Sequence, residues 1–411
     1  MLNSPLRAGL LAGAALTCLT AAAHAQDAEV IHFWTSSSEA ASARVLADAY
    51  DKAGGHWIDS AVAGTDAARA AFTTRVQAGN PPTAMVATSV LEYQDMARAG
   101  YFANLDDLAK DLGWKDVVPE ALMGAVTVDG HIYGAPVGMA VNNFLWTSPK
   151  ALAAIGETEP PKTWDEFFAD GDKLKEKGII PYAHPGKWYW DLNLFGFVLA
   201  SLDTEAYMQF HKVDPQVFDN PSFTEATEIF ARLRDYSDQG AAGREWNLST
   251  QLVMKGDAAF LFMGSWVKGE LDAAGVVPGK DILCSIGVND TPVSLNGDAM
   301  IFPAMNDSKT PTEAQALLAK TVTSVDTQVA FATTKGALPM RTDAQMPDLD
   351  MCSTKALAQA KTAGSVPAYP AMLSGDVAGS IGDVLDNFWV DTGASAEDLA
   401  AELQDVFADF Q

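Results

Sequence analysis

The chain has 411 residues, of which 53 are acidic and 27 basic, giving a formal net charge of −26. Acid spread along the whole chain excludes nucleic acid and anionic membrane surfaces as partners, because both would repel it. The length exceeds what one hydrophobic core ordinarily fills and suits two lobes.

Residues 1–25 read as a secretory signal peptide. Arg7 supplies the positive start, residues 8–22 are small and apolar, and Ala23-His24-Ala25 forms an A-x-A cleavage site. The expectation is cleavage after Ala25 and export to the periplasm as a soluble monomer, since no later run could span a bilayer.

Strand and helix then alternate. Residues 30–34 (VIHFW) predict a strand, and 39–52 a helix with Ala43, Leu46, Ala47 and Tyr50 on one face. A second strand is expected over 58–63, a helix over 66–78 closed by Gly79 and Pro81-Pro82, and a third strand over 83–87. This order predicts a parallel α/β sheet. Asp129-Gly130 between β-formers predicts a type I′ hairpin over 128–136, and 141–146 reads as an extended crossing. Thr163 and Glu166 predict a capping box opening a helix that runs to Lys177 and ends at Gly178. Further helices are expected over 191–200, 224–239, 312–323, 325–333 and 395–410. No stretch resembles a linker, so the expected fold is α/β with two lobes that exchange strands around a hinge. The N-terminal lobe takes 26–138 and 293–340; the C-terminal lobe takes 139–292 and 341–411.

The densest signal is 252–266 (LVMKGDAAFLFMGSW). Gly256-Asp257 turns the chain into an apolar run suited to a strand buried on both faces, and Gly264-Ser265 breaks it just before Trp266. A tryptophan past such a strand end stands where open α/β folds hold ligands, although core packing is its commoner role. Trp34 follows the first strand, and Trp188-Tyr189-Trp190 crowd what reads as one loop. Flat apolar faces beside carboxylates, amides and an ammonium match a pyranose, whose C–H face stacks while its hydroxyls hydrogen-bond.

Catalytic motifs do not emerge: there is no G-x-S-x-G, H-E-x-x-H, Walker loop or dinucleotide fingerprint. His32, His56, His131, His184 and His211 stand far apart, and neither remaining cysteine has a histidine at metal-ligand spacing. No metal, cofactor or enzymatic activity is therefore expected, although a glycosidase carboxylate pair stays open. Cys284 and Cys352 in an oxidising compartment point to a disulfide, with two buried thiols as the alternative.

Several segments together resemble the family 1 extracellular solute-binding proteins of bacterial ABC importers, in their glucose/mannose-type branch. They are HFWTSSSEAAS (32–42), RVQAGNPP (75–82), DGHIYGAPVGMAVNNFLW (129–146), PPKTWDEFFADGDKLKEKGIIPYAH (160–184), REWNLSTQLVMKGDAAFLFMGSW (244–266) and KGALPMR (335–341). The resemblance implies two lobes that close over a mono- or oligosaccharide and deliver it to the importer's permease subunits. The ligand residues it implies are Trp34 and Glu39 in the first loop, Trp188, Trp190 and Asp191, Trp266, Asn296 and Asp298, and Lys335. Asp66, Thr88, Asn142 and Tyr369 complete the expected set. Three departures stand out: Thr88 where such binders carry Lys, Ala140-Val141 where they carry His-Arg, and no histidine near Tyr369. These point away from glucose itself, toward a larger or glycosylated ligand. A polyol or other non-sugar solute is the alternative.

Overall fold

The computed structural model describes residues 26–306 and 308–411, so the expected signal peptide lies outside the described residues. In chain order the strands are β1 (Gln26–His32), β2 (Gly55–Ala61), β3 (Ala84–Ala87), β4 (Thr127–Val128), β5 (His131–Ile132), β6 (Gly134–Val141), β7 (Phe144–Thr147), β8 (Ile180–Tyr182), β9 (Ala258–Met263), β10 (Leu283–Ile286), β11 (Val293–Ile301) and β12 (Ser365–Pro367). They form two main sheets, each covered by helices, and these are the two lobes.

The first sheet runs β12-β11-β3-β1-β2, with β6 also paired to β11. Strands β2 and β3 are parallel to β1, whereas β11 is antiparallel to both β3 and β6. Strand β11 serves two partners in succession. Val293–Leu295 pair with β12 and Ala299–Ile301 with β3, and the β6 ladder shifts register between Asp298 and Ala299. Between those two partners, residues 296–298 of β11 are paired only to β6, and a bulge at such a change of partner re-aims side chains. The helix Ser37–Lys52 starts in a capping box between Ser36 and Glu39. The Asp129-Gly130 turn has φ of 49° and 84°, the positive values a type I′ turn requires, and it joins the two-stranded pair β4-β5.

The second sheet runs β10-β7-β9-β8. Strand β9 is wholly buried, as its unbroken apolar run demands. The helix Trp164–Glu176 packs Phe167 against Phe260 of β9, with ring centroids 4.8 Å apart. Its capping box is only half made. Thr163 accepts from Glu166 N, but the Glu166 carboxylate accepts from Lys162 N instead. The helix Pro221–Arg234 stops short of the expected 239, because Tyr236 carbonyl accepts from Tyr182 N and residues 236–237 run beside β8. Cys284 of β10 and Cys352 are bonded, closing a loop of 68 residues.

Two of the segments that carry the chain between the lobes lie side by side: 142–143 outward from β6 to β7, and 287–292 back from β10 to β11. One buried side chain clips them together. Asn143 donates from Nδ2 to Pro292 O and accepts at Oδ1 from Ser294 N, while its carbonyl accepts from Gly287 N. Among the described residues no helix is long and apolar enough to cross a membrane.

Candidate functional site

Between the lobes lies a cleft of about 240 Å³. Its aromatic wall comes from the second sheet and its helices. Trp266 is the first residue past Gly264-Ser265 and the N-cap of the helix Val267–Ala273. Gly264 is required there: a Cβ would lie 2.2 Å from the folded-back indole. The Trp266 ring stands 5.7 Å from Trp190 at 34° and meets Trp246 edge-on at 6.5 Å. Trp188, Tyr189 and Trp190 are not a loop. They form the first turn of the helix Trp188–Leu202, whose N-cap Lys187 makes no side-chain cap bond and so leaves no capping signal in the sequence.

The opposite wall is charged. Lys335, at the end of the helix Val325–Lys335, is buried 2.9 Å from Asp298 Oδ2, and its ammonium stands 4.1 Å above the Trp34 ring. Glu39 uses Oε2 to accept from Thr35 N and Ser36 N, both at 3.2 Å, so the capping box holds the carboxylate in place. Burial pushes that carboxyl above its ordinary value, with Lys335 pulling it partly back. Farther along, Arg69 pairs with Glu92, whose other oxygen accepts from Thr88. Burial pushes the phenols of Tyr189 and Tyr369 up, which keeps them protonated donors.

Several residues lining this cleft carry a polar atom that is buried without a partner among the described residues. These atoms are the acceptors Asn142 Oδ1 and Asn296 Oδ1 and the donors Trp190 Nε1 and Arg69 Nε. Each unpaired group costs about 1–3 kcal/mol. A ligand bearing hydroxyls, which donate and accept alike, would recover that energy.

Of the expected residues, Glu39, Thr88, Asn142, Trp188, Trp190, Trp266, Asn296, Asp298, Lys335 and Tyr369 line the cleft. Three do not. Trp34 is fully buried against Phe331 and supports Lys335 from beneath, while its neighbour Phe33 faces the cleft. Asp66 is exposed at the rim, where it accepts from Trp188 Nε1 at 2.9 Å. Asp191 is turned inward because successive helical residues diverge by about 100°. It lies 2.9 Å from His184 Nε2, and burial, then the nearby Asp386, pushes its carboxyl well above the ordinary range. Burial lowers His184 to about 3, so its ring is neutral. Sequence reasoning missed Arg69, Glu92, Glu245, Trp246 and Asn247 as lining residues. Trp246 sat inside a segment already noted, whereas Arg69 and Glu92 are ordinary charges 23 positions apart with no local signal.

Two α/β lobes joined by short crossing segments, with one aromatic and one charged wall, define a receptor that encloses a small solute. The chain belongs to the bacterial extracellular solute-binding protein family, whose profile matches residues 34–336. It is 38% identical over 362 residues to a probable sugar-binding periplasmic protein of Rhizobium meliloti, covering 86% of each chain. A protein of Mesorhizobium japonicum with the same description is 38% identical over 366 residues, again covering 86% of each. Among solved structures, a chitin oligosaccharide binding protein superposes with a TM-score of 0.77 at 23% identity, covering 94% of this chain and 98% of that one. The bacterial solute receptor AcbH gives a TM-score of 0.77 at 17% identity with the same coverage.

Proposed function

We propose that this protein is the periplasmic carbohydrate-binding component of an ABC importer, a monomer that captures a sugar and presents it to permease subunits without chemical change. The observation that carries this reading is the composition of the cleft: clustered indoles on one wall, charged groups on the other, and among the lining residues buried donors and acceptors without a partner. A few hydrogen bonds at about 1 kcal/mol each, added to stacking on Trp266 and Trp190, reach the ~8 kcal/mol of a micromolar site. The names of the relatives and the signal-peptide pattern of residues 1–25, with cleavage after Ala25, support export. In this reading the first lobe takes 26–141 with 293–340 and the second 142–292 with 341–411, three residues past the expected 138 because β6 runs to Val141 in the first sheet, and β12 is lent by the second lobe to the first sheet. Trp34 and Asp191 act as supports for Lys335 and for the Trp188–Trp190 turn, and Asp66 as a rim contact.

The test is a thermal-shift and fluorescence titration over mono- and disaccharides with Trp266→Ala as control. A saturable sugar-dependent shift that weakens in the variant is expected. An equal shift in wild type and variant would demote Trp266 to core. A shift with polyols and none with sugars would replace the carbohydrate reading.

A further inference from the structure

Outside the cleft, one carboxylate bridges the lobes. The helix Ser37–Lys52 of the first lobe begins, like any helix, with N–H groups that have no partner within it. The Ser36 hydroxyl meets one of them, accepting from Glu39 N. Ser38 N is met from the other lobe. Glu270, in the helix Val267–Ala273, accepts at Oε1 from Ser38 N at 3.3 Å and from Ser38 Oγ at 2.6 Å. Both residues are buried, and neither lines the cleft. The helix dipole favours a carboxylate at this end, and hydrogen bonds to a charged acceptor are stronger than neutral ones.

The backbones around this contact lie close enough to need glycine. A Cβ on Gly269 would stand 2.9 Å from Ser38 Cβ and 3.2 Å from Thr334 O, both of the first lobe. A Cβ on Gly336 would stand 2.7 Å from Lys268 Cβ and 2.7 Å from Ser265 O, both of the second. Each lobe thus gives a glycine to a seam where a methyl group would push the two apart. Three expected ligand residues adjoin that seam: Trp266 is the N-cap of the helix that carries Glu270, Glu39 follows Ser38, and Lys335 precedes Gly336. The seam therefore sets how far the Trp266 indole stands from the carboxylate and ammonium on the facing wall. Because Ser38 and Glu270 sit on different lobes, their bonds are made only while the lobes are together. Their free energy favours that form alone, and a ligand that requires the form gains by the same factor.

We infer that Glu270 is a positioning residue: it latches the lobes together through Ser38 and so sets sugar affinity without touching the sugar. This rests on the carbohydrate reading and the lobe division above. The test is calorimetry and stopped-flow fluorescence of the full exported chain with glucose, galactose, mannose, maltose and lactose. Glu270→Ala should weaken every sugar that binds by one common factor, about tenfold, through faster dissociation. The ranking among sugars should be preserved. Ser38→Ala, a smaller change on the other lobe, covers the case in which the first variant fails to fold. It should act in the same direction by a smaller factor, since Ser38 N still reaches Glu270. The double variant should be no weaker than Glu270→Ala alone, as two groups acting through one contact require. Glu270→Gln keeps an acceptor for Ser38 and should recover most of the affinity. Unchanged or tighter binding in the Ala variants, or a loss that differs from sugar to sugar, would overturn the latch and leave the carbohydrate reading standing. Binding of none of the five sugars by the wild type would overturn both.

Discussion

The two walls of the cleft recognise by different physics. The wall built on the second sheet offers Trp188, Tyr189, Trp190, Trp246 and Trp266, while the wall built on the first offers Glu39, Arg69, Glu92, Asp298 and Lys335. Stacking is broad and tolerant of ring identity, whereas charged hydrogen bonds demand particular hydroxyl positions. On the proposed reading, affinity rests on the aromatic wall and discrimination on the charged one. Only when both walls face one ligand are both obtained, which ties recognition to the closeness of the lobes.

Four measurements would break or sharpen that contrast. The largest effect is expected from Cys284→Ser with Cys352→Ser, which removes the bond buried in the same cluster as Trp246 and Trp266. In the chain-entropy treatment this costs about 4 kcal/mol, read as a lower urea midpoint; an unchanged midpoint would show the aromatic wall needs no staple. Next, Lys335→Met leaves Asp298 buried and uncompensated and should cost about 3 kcal/mol of stability. Adding Asp298→Asn should restore much of the stability and none of the sugar affinity. Third, Trp266→Ala should weaken sugar binding by about 2 kcal/mol, measured by calorimetry, with the ranking among sugars preserved. If the ranking changed instead, the aromatic wall would be discriminating too.

The smallest effect concerns pH. Glu39 has a raised value in the free cleft, so the folded chain holds a proton there that the unfolded chain has lost. Its contribution to stability therefore falls as pH rises from the ordinary 4.5 through the raised value. Sugar hydroxyls that donate to the carboxylate need it ionised, so affinity should fall as pH drops into that same window. Glu39→Gln should flatten both profiles, and titrations at several pH values would reveal it.

Much of this architecture is legible in local chemistry. The Gly-bounded strand β9 and the Asp129-Gly130 turn each follow from a few adjacent residues, whereas the Ser36–Glu39 cap starts its helix two residues before the expected 39. Trp266 and Lys335 could be placed because recognisable segments carried them. Other features depend on contacts far apart in the chain. The helices Met351–Thr362 and Gly375–Val390 and the short β12 escaped notice, since the first has weak amphipathicity and the last has three residues. Trp34 and Asp191, expected in the cleft, are buried behind it because direction, not identity, decides that. A one-residue step from Phe33 to Trp34 reverses the side exposed, and a helix start misplaced by three residues turns Asp191 inward.

The bond between Cys284 and Cys352 has a topological consequence. The chain leaves the second lobe just after Cys284, supplies Asn296, Asp298 and Lys335 to the first, and comes back to Cys352, whose Cα is 5.9 Å from where the excursion began. The excursion is thus a closed covalent circuit. A single proteolytic nick anywhere within 285–351 would sever the polypeptide and release nothing, because both fragments remain joined through sulfur. In the periplasm envisaged for this receptor, such a nicked molecule would keep all three side chains attached to the lobe that carries Trp266.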